Sequence, residues 1–142
     1  MVRVFVYGTL KPDGRFHKPY CGDRVVATQT GKVRGKLYHL PPVNYPAMTT
    51  GDDWVEGVVL SFNDDLALAK LDELEGYQQH RPPSQNEYNR YEIDVFDLHD
   101  SSKSLGTAWA YFMSVERVRS FGGIWLKTGN WQQLHRSSPR QS

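Results

Sequence analysis

Valines at positions 2, 4 and 6 alternate along the first residues until the pattern stops at Gly8, which predicts a buried strand ending in a tight turn. Strand-like runs recur over residues 24–27, 32–40, 55–62, 90–98 and 106–113. Only one stretch changes to the helical period. Asn63 or Asp64 supplies its N-cap, Gly76 stands at the C′ position beyond its end, and about three turns fit between them. At roughly 100° per residue, Ala67, Leu68, Leu71 and Leu74 share one arc, while Leu66 and Ala69 fall outside it. Residues 41–46 and 78–85 read as loops and 100–104 as a polar hairpin-like connection. Helix is therefore the minority, and no internal repeat divides the chain.

Composition narrows the class without choosing a function. At 142 residues the chain suits one domain with a core and an enclosed pocket, expected over 1–136, with 137–142 as a polar, flexible tail. Lys and Arg total 17 against 16 Asp and Glu, so there is no global basic field to recruit nucleic acid. The lone Cys21 allows no intrachain disulfide and fits a reducing compartment. No segment reaches the roughly 20 apolar residues of a membrane span, and the start of the chain lacks the features of a signal peptide. A soluble cytoplasmic protein without membrane association, monomeric or weakly dimeric, is expected. The His residues, at 17, 39, 80, 99 and 135, show no metal-ligand spacing, so neither a metal nor another cofactor is expected.

The candidate chemistry begins at the end of the helix. Glu75 projects between Leu68 and Leu71, inside the arc that should be buried. Burial and the negative end of the helix dipole both disfavour its ionised form, which suits a general base working near neutral pH. A carboxylate that snorkels out of the last turn or pairs with an Arg is the alternative. At the end of the first strand, Gly8 permits positive φ and leaves neighbouring amides uncovered. The N–H groups around Gly8, Thr9 and Leu10 thus form a candidate nest for an anion or a polarised carbonyl, unless the turn is merely structural.

Tyr88 and Arg90 lie two apart on a predicted strand and face the same way. Arg90 is read either as a residue that binds a substrate carboxylate or orients Glu75, or as one partner in a cross-strand pairing with surface acids. Tyr111 is read either as a pocket residue or as a core tyrosine with a satisfied hydroxyl. Trp125 and Trp131, with Arg117, Arg119, Lys127 and Arg136 around them, are read as structural, because the charge there is too diffuse for a stacking platform.

These pieces occur in an order that resembles the gamma-glutamyl cyclotransferase-like family, which includes gamma-glutamylamine cyclotransferases and avirulence-induced plant proteins. The resemblance runs through Tyr7-Gly8-Thr9-Leu10, Gly35-Lys36-Leu37-Tyr38, Tyr45-Pro46-Ala47 and Val55-Glu56-Gly57. It continues through Leu71-Asp72-Glu73-Leu74-Glu75-Gly76-Tyr77, Tyr88-Asn89-Arg90, Ala108-Trp109-Ala110-Tyr111 and Gly129-Asn130-Trp131, where Asn130 replaces a frequent Asp of the family. It implies a mixed α/β (α+β) fold, a small, mostly antiparallel β-barrel with flanking helices. It also implies a cofactor-independent reaction in which a γ-glutamyl amide or peptide cyclises and releases 5-oxoproline and an amine.

Glu75 would then be the catalytic acid/base. Tyr7, Gly8, Thr9, Leu10, Tyr88, Arg90 and Tyr111 would bind a small γ-glutamyl substrate, and the loop amides would face either the oxyanion or the substrate carboxylate. Preference for the leaving amine is expected from residues 41–45 and 78–85. A non-catalytic module binding a small metabolite or peptide on the same fold is the alternative.

Overall fold

The structure, a computed structural model of the protein, describes residues 1–8, 11 and 24–131. Thr9, Leu10, Cys21 and the tail from 137 onward lie outside the described residues. Strand β1 (Val2–Val6) is followed by a long hairpin of β2 (Val25–Leu40) and β3 (Tyr45–Phe62), then helix α1 (Leu66–Leu74) and a 3₁₀ turn at Pro83–Gln85. A second hairpin of β4 (Asn89–Phe96) and β5 (Ser104–Phe112) leads to helix α2 (Val115–Ser120) and the short β6 (Ile124–Trp125). The fold is mixed α+β.

The six strands are ordered β3-β1-β5-β4-β2-β6, and β2 also pairs with β3, so the ladder returns on itself. Two of its joins rest on a single registered pair, Lys32 opposite Phe96 between β2 and β4 and Val4 opposite Trp109 between β1 and β5. The pairings are antiparallel except where β1 runs parallel to β5. Among the described residues no helix is long and apolar enough to cross a membrane.

The runs expected at 24–27 and 32–40 are one strand. Thr28, Gln29 and Thr30 have exposed side chains, but their backbone pairs with Leu60, Val59 and Val58. Ladder hydrogen bonds need no particular side chain, which is why the hydrophobic pattern is silent there. For the same reason β3 begins at Tyr45, inside the expected loop and well before residue 55. The register moves from Gly35↔Asp53 to Lys36↔Thr49, a bulge that lets one long hairpin bend around the molecule. Helix α2 was not foreshadowed because six residues are too few to show a period. Its cap is nevertheless a familiar one, with Arg117 N donating to Ser114 Oγ.

Strand β1 is buried on both faces. Val4 and Val6 join Ala67 and Leu71 of α1 in one apolar cluster, while Phe5 and Tyr7 point the other way, among Val33, Leu37, Val59 and Ala110. The helix therefore covers the outer face of β1. It starts at Leu66, slightly later than expected, with Asp64 Oδ1 accepting from Leu66 N at 3.1 Å. It ends as the sequence implies. Gly76 has φ 67°, Tyr77 N donates to Asp72 O at 2.9 Å and Gly76 N donates to Glu73 O at 3.3 Å, the paired bonds of a Schellman closure. Packing the helix on Val4 and Val6 carries its C-cap residue, Glu75, to the far end of β1.

Candidate active site

A cavity of about 100 Å³ opens where β1, β3, α1 and β5 converge, lined by Phe5, Val6, Tyr7, Gly8, Tyr45, Pro46, Leu74, Glu75, Glu87, Tyr88 and Tyr111. One water needs roughly 10–15 Å³, so the space suits a small ligand. Strand β1 delivers Tyr7 and Gly8, and the helix closure delivers Glu75. The segment before β4 is tied to the helix end by Tyr88 N donating to Glu75 O and Glu87 N to Gly76 O, both at 3.2 Å. It brings in Glu87 and Tyr88.

The tyrosine hydroxyls are pinned. Tyr7 donates to Tyr111 O at 2.7 Å and accepts from Met48 N at 3.3 Å. Tyr88 donates to Pro46 O at 2.8 Å, Tyr45 to Glu87 Oε2 at 2.5 Å and Tyr111 to Asp72 Oδ1 at 2.7 Å. Burial, reinforced by the nearby carboxylates, pushes these phenols above their ordinary range. They stay protonated at neutral pH and act as donors rather than bases.

Glu75 differs. Burial first, and then the charge of Glu87, raise its carboxyl to about 8. It keeps partial exposure because it faces the cavity. A carboxyl poised there can both accept and return a proton near neutral pH.

Tyr7, Gly8, Glu75, Tyr88 and Tyr111 thus meet in one cavity. Thr9 and Leu10 fall outside the described residues. Arg90 does not line the space. Its Nη1 donates to Asp72 Oδ2 at 3.0 Å, and its guanidinium lies over the Trp109 ring, 4.6 Å from the centroid. Of the segments expected to select the leaving amine, Tyr45 lines the cavity and residues 41–44 and 78–85 do not. Gly8 requires a correction. It is not among the positive-φ residues, and its missing side chain matters instead because a Cβ would lie 2.5 Å from Pro46 Cγ. Trp131 is buried and donates through Nε1 to His39 Nδ1 at 3.0 Å, a structural arrangement.

Sequence reasoning missed Glu87. On a regular strand it would point away from Tyr88, but β4 begins only at Asn89, and the irregular approach turns both side chains into the cavity. Its place directly before Tyr88 was the available signal.

Asp72 holds Tyr111 and Arg90 together. Its carboxyl lies above the usual range because burial outweighs the help of both partners. Replacing it with alanine leaves the Tyr111 hydroxyl and the guanidinium without their acceptor. The expected cost is about 2 kcal/mol, toward the middle of the range for a buried donor left unpaired, since Arg90 and Asp72 keep some exposure. Urea unfolding checks this, and a loss below about 0.5 kcal/mol, the scatter of ordinary surface changes, would mean the network contributes little.

The gamma-glutamyl cyclotransferase, AIG2-like family matches residues 4–133 of the chain. No curated protein matches significantly. Among solved structures, a mouse AIG2-like protein superposes with TM-score 0.67 at 20% identity, covering 100% of this chain and 98% of that one. YtfP of Escherichia coli gives 0.58 at 26% identity, over 96% and 100% of the two chains. YkqA of Bacillus subtilis gives 0.63 at 20% identity over 94% of this chain, which spans only 40% of that protein.

Proposed function

We propose that this chain, which belongs to the gamma-glutamyl cyclotransferase, AIG2-like family, cyclises the γ-glutamyl group of a small amide or peptide, releasing 5-oxoproline and an amine in the cytoplasm. The observation that carries the reading is Glu75, a carboxyl raised to about 8 that faces a cavity walled by tyrosines. The substrate α-ammonium lies above the ~8 of a peptide N-terminus because its own α-carboxylate stabilises it, so a carboxyl raised toward that range accepts its proton at far less cost than an ordinary one would.

The neutral amine then attacks its own γ-carbonyl carbon. The new C–N bond closes a five-membered ring and moves an electron pair onto the carbonyl oxygen. The oxyanion, or the substrate carboxylate, is met by the backbone N–H groups that follow Tyr7. Glu75 returns its proton to the departing nitrogen as the carbonyl re-forms and the old C–N bond breaks, and the carboxylate left behind takes the extra proton from the ring nitrogen, which becomes the lactam N–H, and passes it to the released amine or to water. The pinned tyrosines restrict the substrate to the folded conformation that ring closure needs.

Incubation with a panel of γ-glutamyl amines and peptides, with 5-oxoproline as the readout, tests the reading. For an accepted substrate, kcat/KM is expected to follow a bell centred on the alkaline side of Glu75's own titration near 8. It rises as Glu75 ionises through about 8 and falls at higher pH as the amine of free substrate, held above the ~8 of a peptide N-terminus by its own carboxylate, loses its proton. An acid limb at the ordinary carboxylate value of 4.5 would rule out a desolvated Glu75 as the base. A protein that binds these compounds without releasing 5-oxoproline would be a binding module.

A further inference from the structure

The cavity holds a second carboxylate that the reaction just described does not use. Glu75 and Glu87 both line it, and no Lys, Arg or His does among the described residues. The nearby Arg81 is turned elsewhere, with Nε donating to Asn86 Oδ1 at 2.7 Å and Nη2 to Gly76 O at 2.8 Å. Arg90 is committed to Asp72. The charge of Glu87 disfavours the ionisation of Glu75 in this confined space, and a cation entering between the two carboxyl groups relieves that cost. Tyr45 fixes one oxygen of Glu87 through its hydroxyl. A carboxylate has about four acceptor positions, so Glu87 retains capacity for a further donor.

We infer that Glu87, held in place by Tyr45, anchors the α-ammonium of the substrate, so that the cavity selects γ-glutamyl donors whose α-amine is free and charged on arrival. This rests on the cyclotransferase reading of the site and adds a division of labour to it. One N–H of the ammonium faces Glu75, which takes the proton. Another faces Glu87, which keeps the nitrogen beside Glu75 and excludes N-acylated or des-amino analogues.

The test uses γ-L-glutamyl methylamide and its des-amino analogue, glutaric acid monomethylamide, which differ only in the ammonium. Calorimetry on a Glu75→Gln protein, which does not consume the first ligand, measures both affinities with Glu87 present and after Glu87→Gln. The ammonium ligand is expected to bind at least about tenfold tighter while Glu87 is present, the scale of one charge-assisted hydrogen bond. That ratio should fall toward one in Glu87→Gln and to an intermediate value in Tyr45→Phe. If Glu87→Gln fails to fold, Tyr45→Phe alone carries the comparison.

A ratio near one with Glu87 present, a ratio unchanged by both substitutions, or a cavity that takes neither ligand would each overturn the assignment. Release of 5-oxoproline by the protein with Glu75 intact is scored separately. An ammonium preference that depends on Glu87 without such release sinks the cyclotransferase reading and leaves the anchor standing. Normal release with a ratio indifferent to Glu87 overturns the anchor alone.

Discussion

Glu75→Gln is expected to lower kcat by about 10²- to 10⁴-fold, the usual range for a lost general acid/base, with far less change in substrate affinity. Glutamine fills the same volume but accepts no proton from the amine. At pH 7 a carboxyl whose pKa is about 8 is already mostly neutral in the free protein, so glutamine resembles its resting state. That is why binding is spared while turnover is not.

Stability carries a second signature. Between pH 4.5, the ordinary carboxyl value, and about 8, the folded protein keeps a proton on Glu75 that the unfolded chain has released. Raising the pH across that window therefore favours unfolding. Glutamine removes this slope, so Glu75→Gln should match the wild type in acid and become progressively more stable than it up to about pH 8. Denaturant midpoints measured from pH 5 to 9 check the trend. A variant that unfolds, or one that still releases 5-oxoproline at the wild-type rate, would remove Glu75 from the mechanism.

Much of this site was legible because local rules place it. The alternation of β1, the apolar arc of α1 and the closing Gly76 together put Glu75 at the helix end on the face that should be buried, and each depends on short-range geometry alone. Glu87 and Tyr45 were less accessible. Glu87 reaches the cavity because the chain is irregular before β4, and Tyr45 reaches it because backbone pairing with Leu40 extends β3 into an apparent loop. The same non-local pairing merged two expected strands into β2. Arg90 shows a different limit. Its spacing from Tyr88 indicated the face it occupies, but only the packed helix shows that Asp72, one turn before Glu75, is the acid it meets.

Valine or alanine in place of Gly8 is expected to reduce kcat/KM by about 10²- to 10³-fold, the cost of displacing one aligned oxyanion donor, and to cost about 1–3 kcal/mol of stability through overpacking. The reason is space. A Cβ at position 8 would sit 2.5 Å from Pro46 Cγ and 2.8 Å from Cδ, and a proline ring cannot rotate aside as a long side chain does. Pro46 is itself held by pairing with His39, and its carbonyl accepts the Tyr88 hydroxyl. The collision must therefore move either Gly8 or the wall that carries Pro46 and Tyr88, and both border the cavity. Since Gly8 does not occupy the left-handed region, alanine should already show most of the loss, with little added by valine. Pro46→Ala removes both colliding atoms. Combined with Gly8→Ala it should recover part of the lost stability, giving a coupling above about 0.5 kcal/mol in a double-mutant cycle. Strict additivity of the two substitutions, or normal kinetics in a folded Gly8→Val protein, would mean that the close approach of Gly8 and Pro46 does not shape the site.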